Sequence, residues 1–565
     1  MQNRIASAKL RTWCTRVIAG LIILMMVGSS SVSAVDASEP PMVNPVPPPG
    51  FVAMECEQLT FNGHRSIQPN ILIDNEDNLH LIWSDSCADP IQDDNKFIHT
   101  IFYKKFDKFG ELIIDDTQLM DISEYGPYPY NYFFPGPKAA FDSEGNIHIA
   151  YADAMRNDWN GWYPNFEIYY MKLNGGASAS PANLVLVDEQ RVSEGVVHSG
   201  SPDIAVDSED NVHIVWYDHR SCNWNYEIYY EKLATDGTVL IDDMAITDHI
   251  GYCAGSSIAV DSQDNLHIAF KCYDWWTMVN SQYYLKMDND GNILIDAKIF
   301  ADEGKPTPRQ WYKGYPIVEV DSSDFVHMAW YDERWSNDYE VSYLKLDNNG
   351  EPVMAEPLRV SETPGKSTLQ EFVLGPDGNL YILWRDNTPG DYQIYMAILN
   401  TDGGTVLDPY QLTVSASLSE SPSVAFDSAS NIHIAWADTI TYIPEIYKTV
   451  LKPQALELAF VASGVPGSSA NVAIYKGDSL IKQLNVVRTA GDPMANAVIV
   501  NIPASAEDEL RIEFSLNPTA KARGNGAMPI KVFAVENGEL TDKLGEITLC
   551  QNNGKNPKLT AIILI

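Results

Sequence analysis

Short runs of alternating apolar and polar residues, rich in Val, Ile, Tyr and Trp, fill most of the chain, and turns bearing Asp, Asn and Gly separate them. A period of two with β-branched and aromatic enrichment predicts β-strands. One phrase recurs: an apolar run, a D-S-x-x-N-like turn, then x-H-I-x-W. It reads DNEDNLHLIW (74–83), DSEGNIHIAY (142–151), DSEDNVHIVW (207–216), DSQDNLHIAF (261–270), DSSDFVHMAW (321–330), GPDGNLYILW (375–384) and DSASNIHIAW (427–436). The starts lie 68, 65, 54, 60, 54 and 52 residues apart, a repeat in the range of supersecondary units. A third strand such as YEIYYEKL (226–233), a Gly-bearing turn and a short fourth strand complete each copy. Four antiparallel strands joined by tight turns make one blade of a β-propeller.

The seventh copy lacks a fourth strand. Gln58-Leu59-Thr60 stands 11 residues before Pro69, just as Gln411-Leu412-Thr413 stands 11 residues before Pro422. Residues near 52–60 therefore read as the missing strand, closing a seven-bladed ring over 51–452 and removing exposed edges. Beyond 453 the repeat stops. Runs at 456–462, 471–477, 497–503, 510–516, 530–536 and 559–565 predict a small β-sandwich-like domain over 453–565. The last of these, LTAIILI, reads as a core strand or as one that pairs with a partner. The fold class is thus all-β: a seven-bladed propeller, then a small C-terminal β domain.

Residues 1–34 look like an export signal. Arg4, Lys9, Arg11 and Arg16 precede an apolar run over 17–28, and Val32-Ser33-Ala34 offers a small-residue cleavage site. An uncleaved N-terminal anchor is the alternative. Residues 35–50, with six Pro, form a linker. The expected place is outside the cytoplasm, secreted or on the cell surface, with no membrane span in the mature chain. With 76 acidic residues against 38 Lys and Arg, the formal net charge is −38, which repels phosphate backbones and excludes nucleic acid as a natural partner.

Six of the 11 His share one repeat position: His80, His148, His213, His267, His327 and His433, and Tyr381 fills that position in the remaining copy. Positions spread one per blade around a wide ring do not converge on one ion. A framework role, each His bonding backbone in its own blade, fits better than metal ligation. Asp288, Asp290 and Asn292 are the best calcium candidates, although Asp and Asn are also ordinary turn residues. No motif requires a cofactor; calcium is the only one the turns suggest. Cys56 with Cys87 and Cys253 with Cys272 are disulfide candidates, and Cys222 competes.

Each copy carries an acidic residue after its second strand: Asp85, Asp153, Asp218, Asp274, Asp332, Asp386 and Asp438. Aromatic and basic residues cluster nearby. The candidate ligand set is Asp218, Arg220, Trp224, Trp275, Trp311, Asp332, Arg334 and Trp335, since rings stack on sugars while polar groups bond hydroxyls. The plainer reading is that the Asp and Arg brace hairpins, for example Arg220 with Glu227 and Arg334 with Glu340. No G-x-S-x-G, P-loop or H-E-x-x-H occurs, and no carboxylate pair stands out for catalysis.

The repeat, with Asn400 to Leu407 in place of an Asp-box, resembles secreted microbial propeller proteins of the broad sialidase-like group. That resemblance spans about residues 52–452 and implies fold alone: the early Arg-Ile-Pro motif is missing, and an Arg triad and Tyr–Glu pair cannot be assigned. Three functional readings stand open. The first is a non-enzymatic exported protein binding glycan or a surface or extracellular protein. The others are a propeller-type glycoside hydrolase or lyase, and a structural component of an envelope or matrix.

Overall fold

The computed structural model describes residues 47–564 apart from 55, 62–63, 89–96, 121–122, 126–135, 160–163, 177–182, 195–197, 221–225, 249–250, 275, 303–313, 334–337, 440–442, 454, 463–468, 477–478, 488–497, 504–508, 517–526, 537–538 and 551–557. The chain is all-β, built from antiparallel sheets of four strands, two of them with a fifth short strand, in the arrangement of a β-propeller. The sheets follow one another along the chain at 65–125, 138–191, 199–245, 252–302, 317–359, 367–411 and 419–453, numbered one to seven below. The first strand of each sheet packs against the first strand of the next, and that of sheet seven packs against that of sheet one.

Burial follows position within the sheet. In sheet three, Val212–Asp218 and Glu227–Leu233 are buried throughout, while the outer strand Val239–Ala245 is mostly exposed. Middle strands are covered on both faces by the flanking sheets, so they are buried at every position, and the polar residues they carry, such as His213, Asp218 and Glu227, are buried with them. The repeat Trp supplies the bulk between sheets: Trp83, Trp216, Trp330, Trp384 and Trp436 are fully buried. Each indole contributes roughly 4–6 kcal/mol of burial before entropy is counted.

The conserved-looking phrase has a local explanation in its hydrogen bonds. In sheet three, Asp207 Oδ1 accepts the N–H groups of Glu209 and Asn211, at 2.9 and 2.8 Å. Its Oδ2 takes Asn211 Nδ2 at 2.9 Å and faces His213 Nε2 at 3.2 Å. His213 Nδ1 stands 2.9 Å from Tyr230 Oη on the third strand. An ionised carboxylate only accepts, so Nε2 carries the proton and Nδ1 accepts from the tyrosine. The same set recurs for His80, His148, His267 and His327. The framework role thus holds, although the partners are side chains rather than the expected backbone groups. Sheet six changes both ends together: Tyr381 donates to Asp377 at 2.9 Å, and Met396 lies where sheets one to five have the tyrosine.

The Ser of the turn links neighbouring sheets. Ser143, Ser208 and Ser262 each give their N–H and hydroxyl to Asp210, Asp264 and Asp324 of the following sheet. Those three Asp adopt positive φ, which Asp tolerates better than most residues. Third-strand lysines reach the same way: Lys172 to Thr235, Lys232 to Asn289, Lys286 to Asn348 and Lys345 to Asp402.

The two ends of the circuit meet through the same devices. Ser428 of sheet seven bonds Asp77 of sheet one twice, at 2.7 Å each, and Ser423 Oγ accepts Ile71 N–H at 3.1 Å. The strands Phe51–Ala53 and Glu57–Gln58 pair with Glu445–Pro453 as the outer strand of sheet seven. Leu59 N–H bonds Ile446 O at 2.7 Å, matching Leu412 N–H with Ile394 O in sheet six. This is the register the Gln58/Gln411 correspondence predicts.

Residues 455–564 form two more four-stranded sheets. One has the order Val498–Pro503, Ala455–Ala462, Ala527–Glu536, Glu539–Cys550; the other has Ser479–Val487, Ser469–Lys476, Glu509–Leu516, Lys558–Leu564. Ser479–Val487 and Glu539–Cys550 were not among the predicted strands, because lysines and carboxylates interrupt their apolar alternation.

Candidate functional site

The repeated acidic residues lie at the loop end of each second strand, and most are structural. Asp85, Asp153, Asp218, Asp332, Asp386 and Asp438 are all buried. Asp218 accepts Ser199 Oγ at 2.8 Å and Arg220 N–H at 2.7 Å; Asp386 accepts Ser367 and Thr363 hydroxyls; Asp438 accepts Ser415, Ser417 and Ser419. Asp332 accepts Trp330 Nε1–H at 2.6 Å. Asp274 is not the equivalent residue in sheet four. Strand register puts Cys272 there, opposite Cys253, where other sheets have Asp opposite Ser. Those two cysteines form a disulfide, so a covalent bond replaces the Ser–Asp hydrogen bond.

Arg220 braces its hairpin, but its partners are Asp218, at 2.6 Å, and Asp243, and its guanidinium lies over the Tyr229 ring. Glu227, its expected partner, instead accepts Thr247 Oγ1 at 2.5 Å. Glu340 is paired with Arg359 at 2.7 Å. Trp224, Trp275, Trp311, Arg334 and Trp335 lie outside the described residues, as does the side chain of Cys87. Cys56 is a free thiol between the two short strands that pair with Glu445–Pro453, its pKa pushed up to about 12 by burial and then by Asp438 and Glu57.

At the same end of the ring the described residues hold one exposed aromatic side chain and one largely buried aromatic cluster. The first is Trp276, 95% exposed at the tip of the hairpin between Leu266–Asp274 and Val279–Met287. Asp274 holds this tip: its carboxylate takes Trp276 N–H and Thr277 Oγ1, both at 2.8 Å. The second is a cluster between sheets two, three and four. His198 Nε2 stands 3.1 Å from Tyr217 Oη, His219 stacks on Tyr226 at 4.6 Å, and Tyr226 meets Tyr252 at 4.1 Å. Gly200 makes room for Tyr217, since a Cβ there would lie 2.6 Å from the phenol oxygen. Burial, then His219, pushes His198 down to about 4, so it is neutral at neutral pH. Neither His belongs to the repeat position. That departure was the only sequence signal for them.

The first strands bring four more charged side chains within electrostatic reach of one another. Lys138, Asp203 and Glu371 stand four residues before the turn position, and Glu319 two before it; the other copies have Asn70, Ser257, Ile317 and Ser423 at the first of these places. Burial opposes the charge on Lys138, but Glu371, Asp203 and Glu319 outweigh it and raise its pKa. Burial, Glu371 and Asp203 push Glu319 up to about 8. Asp203 also accepts Ile258 N–H at 3.0 Å, so it links sheets as Ser423 does. The repeat gives no signal for these residues, because they stand at positions where the copies differ.

Asp288 Oδ1 accepts the N–H groups of Asp290 and Asn292, and its Oδ2 takes Asn292 Nδ2 at 2.9 Å, so its oxygens serve the turn. Among the described residues no group of three His, Cys, Asp or Glu is placed to hold a metal ion. Nor is any helix there long and apolar enough to cross a membrane.

No protein-family model matches the chain, and no curated protein does. Solved structures do resemble it. One, from Dyadobacter fermentans and of unknown function, is 11% identical with a TM-score of 0.41 over 72% of this chain and 100% of its own. The polysaccharide lyase Uly1 is 10% identical with a TM-score of 0.44, over 69% and 90%. The Hadza microbial sialidase Hz136 is 13% identical with a TM-score of 0.38, over 63% and 73%. These are likenesses of fold.

Proposed function

We propose that this is an exported protein that engages carbohydrate at the end of the ring carrying the loops between second and third strands. The reading takes the seven sheets as a closed seven-bladed propeller over 51–452. It takes 453–565 as a separate sandwich-like domain and 1–34 as a cleaved signal. The observation that carries it is Trp276, an indole held in water by a hairpin that Asp274 stiffens. A fully exposed indole has no packing to justify it, whereas a ring at the tip of a stiff loop is suited to stacking on the apolar face of a sugar. A glycan array and a panel of soluble polysaccharides test this: the protein binds a defined subset, and Trp276→Ala weakens binding at least tenfold with an unchanged melting temperature. Binding unaffected by that substitution, or none across the panel, overturns it.

A second reading, cleavage of the bound polysaccharide, is favoured by the His198–Tyr217 pair. A neutral imidazole 3.1 Å from a phenol can accept one proton while the phenol gives another. New reducing ends or unsaturated uronate products, lost in both His198→Ala and Tyr217→Phe, support it. Binding without product release leaves the first reading alone.

A further inference from the structure

The chain divides its charge unevenly. Residues 51–452 hold 24 Lys and Arg against 63 Asp and Glu, whereas residues 453–565 hold ten against eleven. Two copies of this protein therefore repel through their rings, and only the C-terminal domain is close to neutral.

The sheet edges are treated differently as well. Outer strands of the ring expose aliphatic residues, among them Leu186, Leu240, Leu294 and Val406. Each such run is followed by an exposed aspartate at the same repeat position: Asp188, Asp242, Asp296 and Asp408, with Asp115 in sheet one. Charges on an edge strand block pairing with another chain. The C-terminal domain has four edge strands. Glu539–Cys550 carries Glu539, Asp542, Lys543 and Glu546; Ser479–Val487 carries Lys482; Val498–Pro503 carries Asn501 and stops at Pro503. Lys558–Leu564 differs. After Lys558 it runs Leu-Thr-Ala-Ile-Ile-Leu without charge or proline, and among the described residues its ladder lies on one side only, with Glu509–Leu516.

We propose that two copies of this protein associate through antiparallel pairing of their Lys558–Leu564 strands. The pairing joins two four-stranded sheets into one of eight and satisfies the second edge of each strand. The partner is a second copy because an identical strand, set antiparallel, offers matched length and uncharged side chains on both sides of a twofold axis. Among the four edges described in the near-neutral residues 453–565, Lys558–Leu564 combines the absence of charge beyond its first residue with the absence of proline, which Val498–Pro503 does not. Seven residues per strand make a small interface, so the dissociation constant is on the order of micromolar.

Sedimentation velocity and light scattering of the full mature chain from about 1 to 100 µM test this range. A monomer–dimer equilibrium is expected, and added salt tightens it several-fold by screening the rings. Adjacent N–H groups on a strand point to opposite edges, so Ala561→Pro and Ile562→Pro are made separately; one removes an outward donor and weakens the dimer at least tenfold while the melting temperature holds. Thr560→Lys adds an edge charge without altering the backbone and weakens the dimer likewise. A monomer at every concentration, a dimer indifferent to all three substitutions, or one that salt dissociates overturns the proposal. Pairing only with a different protein's sheet overturns it too.

Discussion

Thr60 tests how firmly the N-terminal segment holds the ring closed. It is fully buried, donates to Glu445 Oε2 at 2.5 Å and accepts Ile446 N–H at 2.9 Å. Thr247 makes the same two bonds within sheet three, to Glu227 at 2.5 Å and from Ile228 at 2.9 Å. Thr60→Val keeps the volume but removes the hydroxyl, leaving a buried carboxylate one donor short and an N–H without an acceptor. A hydrogen bond to a charged group is worth about 1.5–3 kcal/mol, and an orphaned buried N–H costs about 1–3 kcal/mol, so a loss of roughly 3 kcal/mol is expected. The ring of about 400 residues unfolding as a unit has an entropy near 0.8 kcal/mol per kelvin, which converts the loss to roughly 3–4 °C in Tm. Differential scanning calorimetry should show that shift for Thr60→Val and a similar one for Thr247→Val. Thr60→Ser should be nearly neutral, since Ser193 and Ser361 serve in the same place. If Thr247→Val lowers Tm as expected and Thr60→Val moves it by less than about 1 °C, the N-terminal strand does not carry closure and the reasoning fails.

Glu231 is 2% exposed where other sheets have Met171, Leu285 or Leu344, and burial with Asp242 and Asp243 pushes it up to about 8 from 4.5. The folded state then holds this proton more tightly than the unfolded state. The wild type accordingly loses stability relative to Glu231→Gln as pH rises from 4.5 to 8, by an upper bound of about 5 kcal/mol. Urea midpoints measured at pH 4 and pH 9 should diverge only at the higher pH; equal differences at both would remove the argument. The Cys253–Cys272 disulfide spans 19 residues, so Cys253→Ser should cost about 3 kcal/mol. Adding Cys272→Asp, which installs the pair present in other sheets, should recover at least half in the same denaturation assay. No recovery would mean that the two devices are not interchangeable.

The repeating strands, their turns and the supply of a last strand from the N-terminal end were legible along the chain. Each follows from local rules: a period of two, Asp and Asn in turns, and a register copied from Gln411–Thr413 onto Gln58–Thr60. The phrase around His213 was also legible as framework, because six copies spread around a ring cannot meet at one point. The site was less legible. Asp218 and Asp332 read along the chain either as ligand contacts or as braces; both are buried, Asp218 accepting a serine hydroxyl and Asp332 an indole N–H. His198, Tyr217, Glu319 and Lys138 gave no repeat signal at all.

What the sequence determined by itself was everything that depends on near neighbours: which residues alternate, which turn, and which copy matches which. Tertiary structure decided what depends on residues far apart in the chain. It set Ser143, Ser208 and Ser262 against aspartates of the next sheet, and Ser428 against Asp77 351 residues away. It also showed that Cys253 and Cys272, legible along the chain as a candidate disulfide, stand where other sheets have a Ser–Asp contact. The physical reason is that a side chain's role is set by its partner's distance and by access to water. Both are fixed only when the sheets close on one another.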